Sequence, residues 1–223
     1  MAIAGSLSSD GAGNLSGFMD ASFGAVDATS DTVTGAYAVD GTGTGRVSVE
    51  TSIRNLTAGP NFIFYLTQTD LPPLAMEIDD FSAATGSASI QSAGPFAFSG
   101  AYGLDFTTFS GTELDSTSQI VADQIGTFTG NADINSNLTS LPVADLPFSG
   151  TVNPDASGRF DTTVTLNQGT SYSAAFYFID STQGYLIEND GQNVTFGVFQ
   201  AQQQISPRFR RGKIASPRVW PKN

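Results

Sequence analysis

The acidic pairs Glu77/Asp79 and Glu188/Asp190 are the residues of this chain best spaced to do chemistry. Positions i and i+2 on a β-strand project from one face, so each pair sets two carboxylates side by side. Neighbouring carboxylates can divide acid and base roles in hydrolysis of a glycosidic, ester or phosphoester bond. They can also hold a hard divalent cation such as Ca2+, with Asp79 and the adjacent Asp80 as oxygen ligands. The plainer reading is a solvated strand end, where acids deter edge pairing. Asp10, Asn14 and Asp20 are further oxygen ligands, but their spacing matches no calcium loop and suits turns instead.

Residues 1–203 contain three basic side chains, Arg46, Arg54 and Arg159. Arg46 and Arg159 follow turn glycines at Gly45 and Gly158. In so acidic a body each is expected to pair with a carboxylate, and Glu77 and Glu188 are the named partners. Such a pair is either a brace between strands or a clamp for an anionic ligand. Tyr65 and Tyr177 join the arginines as candidate binding side chains. Tyr37, Tyr102, Tyr172 and Tyr185 are rings that could stack on a carbohydrate in a body without Trp.

Other chemistries are disfavoured by composition. The chain has no His and no Cys, which removes the commonest base, metal ligand and thiol nucleophile. Gly41-Thr42-Gly43-Thr44-Gly45 lacks the Lys and the helix of a phosphate loop, and reads as a turn. With 21 acids against three basic residues, residues 1–203 carry a balance of −18, which repels nucleic acid and attracts cationic partners. No apolar run approaches the ~20 residues of a membrane-spanning helix, and no signal peptide is visible.

The elements that must position these groups occur twice. Gly35, Arg46, Tyr65, Glu77 and Gly86 are matched by Gly150, Arg159, Tyr177, Glu188 and Gly197, at spacings that drift from 115 to 111 residues. A slow drift of this kind marks two copies of one unit with small loop changes. Period-2 alternation bounded by Gly, Asn and Asp predicts strands near 2–8, 14–20, 31–39, 45–51, 61–67, 73–79 and 84–91. The second copy gives 95–104, 117–123, 126–133, 147–153, 158–166, 172–180, 184–189 and 193–203. Phe62 to Leu66 and Phe176 to Ile179 are apolar on both faces, which predicts central strands covered on both sides. The fold class is therefore all-β, with two homologous antiparallel β-barrel or barrel-like meander units in tandem. Unit one spans residues 1–91 and is short of one N-terminal strand; unit two spans 92–205. Residues 206–223 leave the repeat, carry six basic side chains and hold Trp220. This basic tail is expected to dock on the acidic body at the vacant edge, within one chain or across a homodimer.

The run Asp10-Gly11-Ala12-Gly13-Asn14-Leu15-Ser16-Gly17, then Thr34-Gly35-Ala36-Tyr37, Gly45-Arg46, Phe62 to Leu66 and Met76-Glu77-Ile78-Asp79, resembles a repeated β-domain of secreted or surface proteins of soil bacteria, especially acidobacteria. The resemblance covers residues 2–203 and implies an extracellular or cell-envelope setting. It carries no catalytic residues across. The function expected from the sequence is a non-catalytic binding or adhesion module for a small-molecule or carbohydrate ligand. The alternative is a hydrolase of low efficiency built on the paired carboxylates, with or without a divalent metal.

Overall fold

The computed structural model describes residues 1–22, 27–53, 59–67, 71–79, 84–109, 113–136, 142–155, 157–167, 169–189 and 193–203. Every element is a strand. The first unit holds β1 (Ala2–Ser9), β2 (Asn14–Ser22), β3 (Asp27–Val39), β4 (Arg46–Ile53), β5 (Phe62–Tyr65), β6 (Leu74–Glu77) and β7 (Thr85–Ser87). The second holds β8 (Gly100–Phe109), β9 (Glu113–Ala122), β10 (Thr127–Ser136), β11 (Val143–Pro154), β12 (Arg159–Leu166), β13 (Ser171–Asp180), β14 (Gln183–Glu188) and β15 (Thr195–Ala201). Strands β1 to β7 pair in chain order as a curled open sheet, whereas β8 to β15 close into an eight-stranded antiparallel barrel through pairing of β15 with β8. No helix of the described residues is long and apolar enough to cross a membrane.

The repeat holds at the level of single cross-strand pairs. Arg46 faces Tyr65 as Arg159 faces Tyr177, and Phe62 faces Glu77 as Ala174 faces Glu188. Gly17 faces Val33 as Gly130 faces Phe148. Each unit also carries the same bulge. In unit one the N–H of Ser30, at φ 48°, donates to Asp20; in unit two the N–H of Asp145, at φ 56°, donates to Asp133. A bulge that recurs with its aspartate is part of the unit's design, because it sets the local twist that lets the sheet curl.

Among the described residues unit one has no strand that corresponds to β8. The expected strand over 95–104 is corrected in detail: the strand runs from Gly100 to Phe109, and residues 95–99 are not in a strand. They fold into the barrel's end instead. Phe98 is buried there against Tyr102, Phe128, Phe160, Phe176 and Phe178, with ring centroids between 5.2 and 6.3 Å. Gln91 fixes this segment, since its amide donates to the carbonyls of Ser157 and Phe178 while its oxygen accepts from Ser6. The difference between the units is visible at one repeated glycine. A Cβ on Gly197 would meet Asp105 and Phe106 of β8 at 2.5 Å, while a Cβ on its equivalent Gly86 would meet nothing.

The two units pack back to back. Ala2, Ala4 and Phe18 on the outer face of β1 and β2 lie on Ala175, Tyr177, Ile187 and Val194 of the barrel's outer wall, and Phe18 stacks on Tyr177 at 6.0 Å. This explains the doubly apolar β13, whose residues Ala174 to Phe178 are all buried. The same expectation for β5 is corrected, because among the described residues neither of its faces is fully covered. Ile63 is buried, but Tyr65 on the same face is 46% exposed, and Leu66, on the other face just past the strand, 51%.

Candidate functional site

The closed barrel divides into a filled half and a hollow half, and side-chain size decides which is which. Inward positions near the Phe98 end carry Tyr102, Phe128, Phe160, Phe176, Phe178 and Phe199, which pack ring against ring. Inward positions toward the connection of β12 and β13 intersperse larger side chains such as Leu166 and Tyr172 with smaller ones, among them Thr108, Ser118, Ala132, Ala174 and Thr195. An eight-stranded barrel is just wide enough to be filled by side chains or to hold one small ligand. Small residues therefore leave a cavity of about 430 Å3, which reaches solvent beside the exposed Thr170 and Ser171. A second hollow of about 410 Å3 lies by Phe96 to Ser99, and among the described residues no ionisable group lines it.

Among the described residues lining the first cavity, one is charged. Glu188 ends β14 on the inward face, is buried, and accepts hydrogen bonds from Thr195 and Asn193. Thr195 donates its hydroxyl to Oε2 at 2.6 Å, and Asn193 donates its side-chain N–H to Oε1 at 3.2 Å. The Thr195 hydroxyl lies 2.8 Å from that of Thr108. A threonine has one hydroxyl proton, and that of Thr195 is committed to Glu188, so Thr108 donates to Thr195. The chain of donors thus runs from Thr108 through Thr195 to the carboxylate. Burying a carboxylate is costly unless hydrogen bonds meet it, and these do so in a wall that is otherwise mostly Leu, Ile, Val, Phe and Ala.

Arg159 does not reach Glu188, and the expected pair is corrected. Residue parity places Arg159 with Tyr177 on the outer wall and Glu188 inside. Arg159 instead forms a bidentate pair with Asp20 of the first unit, Nε to Oδ2 at 2.7 Å and Nη2 to Oδ1 at 3.0 Å, and reaches Asp161 at 2.6 Å. Tyr177 donates its hydroxyl to Asp20 Oδ2 at 2.5 Å. With the Ser30 N–H, Asp20 accepts four hydrogen bonds while fully buried, the full capacity of a carboxylate. Burial works against the charge on Arg159, but the hydrogen bond and charge of Asp20 outweigh it, so its pKa is raised. Burial, followed by the negative charge of Asp20, also raises the Tyr177 phenol well above its ordinary value. The seam between units is thus an ion pair with a neutral tyrosine. Tyr177 faces this seam and not the cavity.

The remaining candidates are scattered. Glu77 is buried on β6 in the position equivalent to Glu188. Asp79 accepts the N–H of Asn61 at 2.6 Å. Asp80 and Asp190 lie outside the described residues, as does the basic tail. Arg46 is half-buried, and Asp40, held below the usual carboxylate range by the Thr42 N–H foremost, also feels its charge. Asp10 serves its own turn, accepting from Ala12 and Asn14, and Asp20 belongs to the seam, so the two are not a cation site. Among the described residues no three acidic side chains converge as a metal site would require. Thr108, Asn193 and Thr195 escaped the sequence reading. Their only signal was parity, counted inward from Phe176 and Glu188.

No family model matches the chain, and no curated protein does. Among solved structures it is similar to a de novo designed fluorescence-activating β-barrel, at 12% identity and a TM-score of 0.36, over 48% of this chain and 94% of that one. The likeness concerns the barrel architecture alone.

Proposed function

We propose that this protein is a non-catalytic binding module, and that its closed barrel takes a small, mainly apolar ligand in the cavity beside Glu188. The observation that carries the reading is the cavity itself: about 430 Å3, within the range of ~300–1,000 Å3 usual for ligand pockets, mostly apolar and with one ordered polar cluster. The resemblance of residues 2–203 to repeated surface β-domains supports an extracellular or envelope setting. A carboxylate hydrolase is the competing reading. It needs a second carboxylate or a metal near Glu188, and Glu188 is the sole carboxylate among the described residues lining the cavity.

Isothermal titration of the wild-type chain with n-octanol is the direct test. Saturable 1:1 binding is expected, and Ala174→Phe should abolish it by filling the cavity while leaving the β-sheet circular-dichroism spectrum unchanged. Absence of saturable binding, or equal binding by a folded A174F, would remove the cavity from consideration.

A further inference from the structure

Independently of the cavity, we propose that a second copy of this chain docks on the outward wall of β4, β5 and β6, and that the two copies meet about a two-fold axis. The repeat supplies the rule by which this wall is read. The equivalent wall of the barrel carries Ala175, Tyr177, Tyr185 and Ile187, and Ala2, Ala4 and Phe18 of unit one lie on it. Where unit two repeats those covering strands, at β9 and β10, the outward positions are polar and exposed: Asp115 stands for Ala2, Thr117 for Ala4 and Asn131 for Phe18. Outward residues are thus apolar in the seam and polar on the barrel's exposed side. The wall of unit one departs from that rule. Tyr65 faces Leu74 as Tyr177 faces Tyr185, and Ile63 faces Met76 as Ala175 faces Ile187. These residues have the chemistry of a covered wall, yet Tyr65, Leu74, Met76 and, just past β6, Ile78 are between 45% and 58% exposed. An apolar patch of this kind marks an interaction site.

Charge selects a second copy as the occupant. Residues 1–203 carry a balance of −18, so two copies repel each other except where acids are absent. The outward positions of β5 and β6 are uncharged, and those of β4 carry one charge of each sign, Arg46 and Glu50. A cationic partner would be drawn to acids, and β5 and β6 present none outward. Arg46 and Glu50 lie four residues apart on one face of one strand, which makes the wall complementary to itself. A two-fold axis that sets β4 antiparallel to its copy brings each Arg46 to the partner's Glu50, and lays the apolar side chains of β5 and β6 on their copies. Arg46 also acts on Asp40 of its own chain, so the charge pairs chiefly orient the partner while the apolar side chains supply affinity. A surface that matches itself closes at two chains. Docking of the β9 and β10 wall on Arg46 would instead be head-to-tail and open-ended, with Asn131 in the place of Phe18.

Sedimentation velocity of the full chain is the test. A closed dimer is expected at about 100 μM and monomer at about 1 μM, as suits a small interface. Met76→Glu should weaken dimerisation by at least about a hundredfold, because the axis sets the new charge twice against an apolar wall. Arg46→Glu should weaken it by about tenfold or more, and R46E/E50R should return it to within about threefold of the wild type. Monomer at about 100 μM, an open-ended series of oligomers, a dimer untouched by M76E, or an R46E/E50R chain as weak as R46E overturns the inference. So does a dimer that dissolves in about 1 M salt, since screening removes the attraction of the basic residues 206–223 for the acidic body but not the burial of an apolar wall. Circular dichroism checks that each variant is folded; should M76E not fold, R46E and its charge reversal decide the matter.

Discussion

Tyr177 and Tyr65 occupy the same place in two copies of one unit, yet the first is 4% exposed and the second 46%. Each faces its repeated arginine across the same strand pair. The difference is a neighbour. Tyr177 and Arg159 lie under β1 and β2 of the other unit, where Asp20 meets them; Tyr65 and Arg46 have no such aspartate over them among the described residues. The aspartates show the same split: Asp20 is fully buried in the seam, and its equivalent Asp133 is exposed on the barrel's far side. Adjacent positions have followed suit, with Phe18 of the seam replaced by the exposed Asn131. One unit thus specifies strand pairing and bulge, and the outward residues record which wall has a partner.

This contrast can be broken by mutation, and the largest effect belongs to the seam. Arg159→Met strands the buried Asp20, and losing one partner of a buried pair costs about 3–5 kcal/mol. Arg46→Met should stay within about 0.5 kcal/mol, as surface changes do. Chemical denaturation of both variants checks this; equal losses would mean that the seam has no special weight. Next is Tyr177→Phe, which removes a hydrogen bond to a charged group and should cost about 1.5–3 kcal/mol at neutral pH. Because the folded-state pKa of Tyr177 is raised above its ordinary 10.0, its stabilising contribution is fully present below that pH and is lost as pH rises beyond it. Denaturation midpoints followed from pH 8 to 11 should therefore fall more steeply in the wild type than in Y177F; parallel curves would exclude a coupled phenol.

The smallest expected effect sharpens the comparison most. Gly197→Ala forces a Cβ into β8 and should cost about 1–3 kcal/mol by overpacking. Gly86→Ala meets open space and should be neutral or stabilising by up to about 1 kcal/mol, through a less flexible unfolded chain. Thermal melts of the pair decide it, and a loss in G86A as large as in G197A would show that something occupies the eighth-strand position of unit one.

Much of the fold was legible because strands announce themselves locally. The repeated glycines, Phe62 to Tyr65 and Phe176 to Ile179 placed the sheets and their register, and the count of seven strands against eight followed. The site was not legible in the same way. Arg159 and Asp20 are 139 residues apart and belong to different units, so the repeat that matches Arg46 with Arg159 says nothing of which one acquires Asp20. Glu188 was picked out for its spacing to Asp190, whereas its surroundings come from Thr195 at the start of β15 and Asn193 just before it. Residues 95–99 read as a strand because Phe96 and Phe98 alternate as a strand would; a ring seeking the barrel axis gives the same alternation without pairing.

The segment from Gln91 to Ser99 has a consequence for how the molecule can be divided. By the repeat it straddles the boundary of the two units, and a fragment starting at Gly100 would keep all eight strands of the closed barrel. Such a fragment would lack its floor. Phe128, Phe160, Phe176 and Phe178 would surround a vacancy the size of a phenyl ring, open to water, and the burial of Phe98, worth about 1.5–3 kcal/mol, would be forfeited. Gln91 meanwhile touches Ser6 in one unit and Ser157 and Phe178 in the other. The natural cut is therefore upstream of residue 91, and what joins the two copies is also what finishes the second.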